Sequence, residues 1–318
     1  MQIGFDIRAP ELIATPERFI GAIKLGEELG FDYTTISDHL VSPHEVTAKY
    51  PYSASGKLST IAAGARHEQL TAIAFLAAKT TNLRFVTSVM VAPYRPPVLT
   101  AKIVSTIDIL SGGRITVGVG TGWMKDEFEA VGAPDFSKRG RVTDEYLETM
   151  KTLWTQETAS YEGSFVRFPE VSFEPKPVQK PHPPLWIGGL SEPAMRRAAH
   201  FGDAWYPVPD DQKIPLDTLN RLRGGMARMR ELTEAAGRDP ASVSIAIRVH
   251  DYGERLAPQA NDGERQLFSG SPTEIAADLE RIRELGICAI DFRFSANTTT
   301  EAMRDMETFR RDVIARTK

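Results

Sequence analysis

Eight short runs rich in Val, Ile, Phe and Leu recur along this chain, each followed by a stretch of helical periodicity. That alternation narrows the available folds more than any other feature, because it is the pattern of a parallel sheet joined by crossover helices. The runs lie near 2–7, 31–36, 83–90, 115–120, 185–189, 204–207, 243–249 and 288–294. Eight βα units in 318 residues predict an α/β protein of the (β/α)8 barrel type, with residues 1–318 forming one domain undivided by any linker or low-complexity stretch. An open doubly wound sheet would carry its nucleotide fingerprint after the first strand, and Asp6-Ile7-Arg8-Ala9-Pro10 carries none.

Helix boundaries support this division. Thr15-Pro16-Glu17 and Ser191-Glu192-Pro193 set an N-cap before an acidic first turn, and Ser271-Pro272-Thr273-Glu274 reads as a capping box. Gly30 and Gly286 stand where a left-handed C-cap is wanted before a strand. Two insertions decorate the barrel. Residues 38–66, after strand two, are too many and too polar for an ordinary βα loop, and with their Tyr50-Pro51-Tyr52 cluster predict a lid that orders over bound substrate. Between strands four and five, residues 161–168 read as a hairpin followed by a proline-rich return.

A chain with 42% apolar residues can bury a large core, and a net charge of −4 with scattered basic residues leaves no footprint for nucleic acid or an anionic membrane. No apolar run approaches the ~18 residues of a membrane span, and the first residues lack the pattern of a signal peptide. A cytoplasmic protein acting on a small molecule is expected. The lone Cys288 excludes an internal disulfide and lies in an apolar run that suggests packing. The six histidines include no His-Glu-x-x-His and no pair at i, i+4, so no metal is expected.

In such barrels the chemistry sits at the C-terminal ends of the strands. Gly118-Val119-Gly120-Thr121-Gly122-Trp123 ends strand four. Its alternate glycines let a flat ring or a phosphate approach the backbone, with Trp123 as a wall; a bulged strand end is the other reading. His39, after strand two, is a candidate proton donor or acceptor whose neighbour Asp38 can fix its tautomer, or it is a structural histidine. Gly188-Gly189 and Ser191 offer amides at a helix start to a phosphate, or form a tight turn. Arg248 and Arg293 either meet an anionic substrate or cofactor tail or are ion-paired. No Gly-x-Ser-x-Gly elbow is present, which argues against an α/β-hydrolase.

Six motifs in one order resemble the bacterial luciferase-like family of flavin- and deazaflavin-dependent oxidoreductases. They are Ser37-Asp38-His39; Thr87-Ser88-Val89; Asp108 to Arg114 running on through Gly118 to Trp123; Pro175-Lys176-Pro177-Val178-Gln179; Pro183 to Gly189; and Gly202-Asp203-Ala204-Trp205. The sequence most resembles the branch assigned to coenzyme F420, with FMN the alternative cofactor. The resemblance implies that Asp38 and His39 lie beside the ring with His39 the proton relay. It implies a non-proline cis peptide at Ser88-Val89 behind the ring. Gly120, Thr121 and Gly122 would border ring and ribityl chain, and Gly188 and Gly189 the phosphate. The activities implied are hydride transfer with F420, oxygen-dependent monooxygenation with reduced FMN, or flavin binding without turnover. A homodimer is implied as well.

Overall fold

The structure is a computed structural model and describes residues 1–42, 66–211 and 213–317. The strands are β1 (Gln2–Arg8), β2 (Tyr33–Ile36), β3 (Arg84–Thr87), β4 (Met90–Val91), β5 (Ile115–Gly120), β6 (Thr158–Glu162), β7 (Arg167–Ser172), β8 (Leu185–Gly188), β9 (Ala204–Tyr206), β10 (Ser244–Val249) and β11 (Ala289–Ser295). The α-helices are α1 (Pro16–Glu28), α2 (Gln69–Ala77), α3 (Pro97–Ser111), α4 (Lys125–Ala130), α5 (Arg139–Thr155), α6 (Glu192–Phe201), α7 (Leu219–Ala235), α8 (Pro272–Glu284) and α9 (Thr299–Asp312).

Parallel pairing runs β3-β2-β1-β11-β10-β9-β8-β5, and β5 pairs in turn with β3, so the sheet closes on itself. The result is an eight-stranded (β/α)8 barrel, as the alternation of runs predicts. The short β4 extends the β3 arm and pairs with the end of β5. Consequently the expected third strand, 83–90, is two pieces separated at Ser88-Val89, whose peptide bond is cis.

Strand alternation sorts the side chains. Phe5, Ile7 and their equivalents face the helices, where Gly26 of α1 makes room for the Phe5 ring: a Cβ there would stand 2.2 Å from it. The opposite set fills the lumen with Tyr33, Val86, Trp186, Ala204, Tyr206, Ala246 and Ala289. Tyr33 and Trp186 meet edge to face with centroids 5.7 Å apart, and Gly4 accommodates the Tyr33 ring, which a Cβ would meet at 2.3 Å. A lumen packed this way is a floor, and binding is confined to the strand ends above it. Cys288 is partly buried against this lumen.

The caps form as read: Thr15 accepts from the Arg18 amide, Ser271 closes a capping box with Glu274, and Gly30 and Gly286 have φ of 76° and 86°. A hairpin joins β6 to β7 within the insertion between β5 and β8. The bulk of the expected lid, 43–65, lies outside the described residues. One excursion has no counterpart in the sequence reading. Between β10 and α8 the chain folds back through isolated bridges at Gly253–Ser269 and Gln259–Arg265. Phe268 there is buried in the left-handed region at φ 63°, held by its amide donating to Asp278.

Candidate active site

The strand ends surround a cavity of about 480 Å3. Each residue singled out from sequence lines it: Asp38, His39, Ser88, Val89, Gly120, Thr121, Gly122, Trp123, Gly188, Gly189, Ser191, Arg248 and Arg293.

Glycine forms one wall because Val89 occupies the space beside it. A Cβ on Gly120 would stand 2.5 Å from Val89 Cγ2, and one on Gly188 3.1 Å from Val89 Cγ1. Gly122 turns the chain at φ 80° over Phe128 and Val91, where a Cβ would also collide. Ser191 caps α6, its hydroxyl accepting from the Ala194 amide, and Arg197 of the same helix reaches the cavity while bonded to Asp144 and the Gly140 carbonyl.

His39 is paired differently from the expectation. Its neighbour Asp38 does not fix it; Nδ1 meets Glu127 Oε2 at 2.8 Å, from a residue on α4 with a fully buried side chain. Asp38 is engaged elsewhere, accepting both terminal nitrogens of Arg95 at 2.8 Å and the Val91 amide at 2.9 Å. It therefore pins β4 to the end of β2. The reason is directional: adjacent residues at a strand end point to opposite sides, so sequence neighbours here serve separate networks. Glu127 also accepts the Leu40 amide at 2.7 Å and the Tyr94 hydroxyl. Burial alone would raise its carboxyl, but the His39 hydrogen bond and these donors hold it below its ordinary range. Glu127 is thus an anion that accepts from His39 Nδ1–H, which puts the lone pair of the neutral imidazole on Nε2.

Beneath the cavity lies a second charged network. Arg248 is buried and bonds Asp6, Ser88 Oγ and Thr35 Oγ1, so its ion-paired reading is the one realised at the floor. Arg8 and Arg293 also contact Asp6, at 2.9 and 3.4 Å. Burial would raise the Asp6 carboxyl, yet the three guanidinium groups hold it far below the carboxylate range. Tyr206 joins Ser88 (3.1 Å) to Asp291, which burial pushes up to about 6. His250 meets Asp210 at 3.4 Å, and burial, with Arg293 nearby, drops it to about 4.

Sequence reading missed Glu127, Arg8, Tyr206, Arg139 and Arg197. Arg8 and Tyr206 carried a signal, since both close barrel strands on the inward-facing register. Glu127 carried none, being 88 residues from the histidine it orients.

The model of the luciferase-like monooxygenase family matches residues 2–252. The chain belongs to the luciferase-like monooxygenase family. An uncharacterized protein of Mycobacterium tuberculosis strain H37Rv is 31% identical over 274 residues, covering 85% of this chain and 94% of that one. The FMNH2-dependent dimethylsulfone monooxygenase of Pseudomonas putida is 38% identical over 184 residues, covering 57% of this chain and 48% of that enzyme. Among solved structures, an F420-dependent secondary alcohol dehydrogenase in complex with an F420–acetone adduct superposes with a TM-score of 0.74 at 17% identity, covering 100% of this chain and 99% of the other. At that identity the likeness speaks to the luciferase-like fold alone. Among the described residues no helix is long and apolar enough to cross a membrane.

Proposed function

We propose that this protein transfers a hydride between coenzyme F420 and a small organic substrate, with His39 donating or accepting the accompanying proton at Nε2. The observation that carries this reading is the pairing of half-buried His39 with buried Glu127 in the wall of a cavity whose other wall is glycine. The residues suit a flavin or deazaflavin. The cavity volume falls within the roughly 300–1,000 Å3 typical of cofactor pockets. Gly120, Thr121, Gly122 and Gly188 present backbone to a flat ring, with Val89 filling the space behind them and Trp123 and Ser88 at its border. The amides of Gly189 and Ser191, at the start of α6, with Arg197 and Arg139, suit a phosphate. A deazaflavin or flavin bound there supplies two-electron hydride chemistry, and a reduced flavin also activates oxygen.

The chain's own residues do the rest. Glu127 keeps the proton of neutral His39 on Nδ1 and stabilises the imidazolium when Nε2 takes a second. Asp38 and Arg95 hold β4 and so fix Val89 and Val91 against the glycine wall. Both are positioning residues.

A second reading, an FMN-dependent monooxygenase using reduced flavin and oxygen, is favoured by the 38% identity to the dimethylsulfone enzyme. Titrating apoprotein with F420 and with FMN while following tryptophan fluorescence separates the two. Micromolar F420 binding with weak FMN binding supports hydride transfer; the reverse, with substrate-dependent oxygen uptake, supports monooxygenation. Binding of either without turnover across a broad substrate panel would favour a non-catalytic flavin-binding protein. The proposal includes a homodimer, for which Phe75 on α2 and Val98, Leu99 and Leu110 on α3 offer exposed apolar surface. Light scattering of the wild type and of Leu99→Glu tests it.

A further inference from the structure

Beneath the cavity the lumen holds a carboxylate among aromatic rings. Asp291 of β11 is fully buried, and Trp186 packs edge to face against both tyrosines that reach it, with centroids 5.7 Å from Tyr33 and 5.3 Å from Tyr206. Asp291 Oδ1 accepts from the Tyr33 hydroxyl at 3.3 Å and from that of Tyr206, while Oδ2 has no hydrogen-bond partner and lies 3.7 Å from Arg248. Tyr206 in turn meets Ser88 Oγ at 3.1 Å, and Ser88 and Tyr206 both line the cavity. A continuous chain of hydroxyls therefore runs from a buried carboxylate to the cavity wall.

Counting hydrogens gives this chain a direction. Arg248 can only donate, and it does so to Ser88 Oγ and toward the Tyr206 oxygen. While Asp291 is a carboxylate, Tyr206 donates to it, Ser88 donates to Tyr206, and one lone pair of Ser88 is left for the cavity. Once Asp291 is protonated at Oδ1 it donates to Tyr206, and Tyr206 donates to Ser88. Both lone pairs of Ser88 are then filled, by Tyr206 and Arg248, so its own hydrogen has to point into the cavity.

The groups facing Asp291 leave both states accessible. Burial is the largest influence and pushes it up, and Asp6 of β1 acts in the same direction. Arg248 of β10 and the hydroxyls of Tyr206 and Tyr33 oppose them, for a net value of about 6. Both phenols stay protonated, because burial and the Asp291 charge push them well up.

We propose that Ser88, Tyr206 and Asp291 form a proton path of the cavity besides that of His39. Asp291 sets whether Ser88 accepts from the bound molecule or donates to it, and one proton travels the chain as that molecule changes charge. Delivery moves the Ser88 proton to a basic heteroatom of the bound molecule, the Tyr206 proton to Ser88 and the Asp291 proton to Tyr206, leaving a carboxylate. Uptake reverses each transfer. Ser88 touches the bound molecule, and Asp291 acts through Tyr206 and Ser88. The inference rests on the cofactor reading: adding a hydride to a flat ring leaves it a negative charge, which a donor at the border of the glycine wall stabilises.

The test is titration calorimetry of the apoprotein with oxidised and reduced F420, and with oxidised and reduced FMN, in two buffers of unlike ionisation enthalpy, which counts the protons exchanged. On passing from oxidised to reduced cofactor at pH 7, wild type should take up about half a proton more than Asp291→Asn does, the filling of a site near 6 when a charge raises it to about 7. Ser88→Ala, which keeps Asp291 and both of its phenols, should fall to the Asp291→Asn value, and Ser88→Thr should recover most of the uptake. Equal uptake in wild type and Asp291→Asn overturns the proposal. Wild-type uptake in a folded Ser88→Ala protein also overturns it, since Asp291 then acts through its field without the chain. Should neither F420 nor FMN bind, the cofactor reading fails by itself, and infrared difference spectra of the apoprotein decide the chain. A carboxylic acid band that titrates near 6, is missing from Asp291→Asn and moves to higher pH in Ser88→Ala upholds it; a missing band or an unmoved midpoint refutes it.

Discussion

Replacing Glu127 by glutamine exchanges one oxygen for an amide nitrogen at a position surrounded by donors: His39 Nδ1 at 2.8 Å, the amides of Leu40 and Val41 at 2.7 and 3.3 Å, and the Tyr94 hydroxyl. The glutamine keeps most of these bonds by turning its carbonyl toward the two amides. Its NH2 then faces His39 Nδ1, which has to accept, and the proton of the neutral imidazole moves to Nε2. A histidine in that tautomer has no lone pair to take a proton from a bound molecule, and its imidazolium has lost its counter-ion. The charge-assisted bond alone is worth about 1.5–3 kcal/mol, or roughly 10- to 150-fold. The analogous loss of an orienting carboxylate in a Ser-His-Asp triad costs about 10⁴ in turnover through the wrong tautomer. Glu127→Gln should therefore lower kcat by about 10²- to 10⁴-fold. Cofactor affinity should hardly move, because Glu127 does not line the cavity. The assay is steady-state turnover over a pH range alongside cofactor titration, for Glu127→Gln, His39→Ala and the double variant. If Glu127 acts through His39, adding Glu127→Gln to His39→Ala costs nothing further. A folded Glu127→Gln enzyme with kcat within threefold of wild type and an unchanged pH profile would refute the reasoning.

Three further outcomes follow from the same geometry. Gly120→Ala sets a methyl 2.5 Å from Val89 Cγ2 and should cost about 1–3 kcal/mol of stability together with cofactor affinity; Val89→Ala in the same chain should restore much of both, read by thermal unfolding and fluorescence titration. Arg95→Gln strands the Asp38 carboxylate beneath β4 and should destabilise by about 3–5 kcal/mol, the cost of breaking a buried pair, whereas a change under 1 kcal/mol on denaturant unfolding would show the pair to be dispensable. For pH, Asp291 at about 6 contributes stability that is complete below its unfolded value of 3.8 and lost as pH rises through 6, so Asp291→Asn should gain about 2–3 kcal/mol relative to wild type between pH 4 and 7. His250 at about 4 works oppositely, its contribution present above 6.5 and lost as pH falls, so His250→Asn should gain relative to wild type over the same interval on acidification; pH-independent differences in denaturation midpoints would contradict both assignments.

The barrel was legible because its determinants are local. Alternating apolar positions, caps such as Ser271 and C-cap glycines such as Gly286 act within a few residues, and the structure keeps each of them. Some motifs behind the family resemblance prove to be framework. Asp108 accepts from both the amide and the side chain of Gln179, Arg114 donates to the carbonyl of Ala77 at the end of α2 and to that of Leu83 just before β3, and Asp203 accepts from the Leu185 amide. These ties join the hairpin insertion and the helices to the strands, which explains how loosely spaced motifs can mark one fold while saying little about the reaction.

The chemistry was legible in location and obscure in connection. Strand ends converge by topology, so naming the residues there was enough to find Val89, Gly120, Gly188 and Arg293 around one cavity. Which carboxylate serves which cation depends instead on side-chain direction. At the end of β2 that direction separates Asp38 from His39, sending one to Arg95 and the other to Glu127 on α4. The same holds for Asp6: nothing within β1 indicates that its carboxylate serves guanidinium groups from β10 and β11, because that sharing exists only once the sheet closes and brings β1 beside β11. Barrel closure therefore does more than gather strand ends. It draws guanidinium groups from three strands onto one aspartate and sets them across the barrel from the glycine wall.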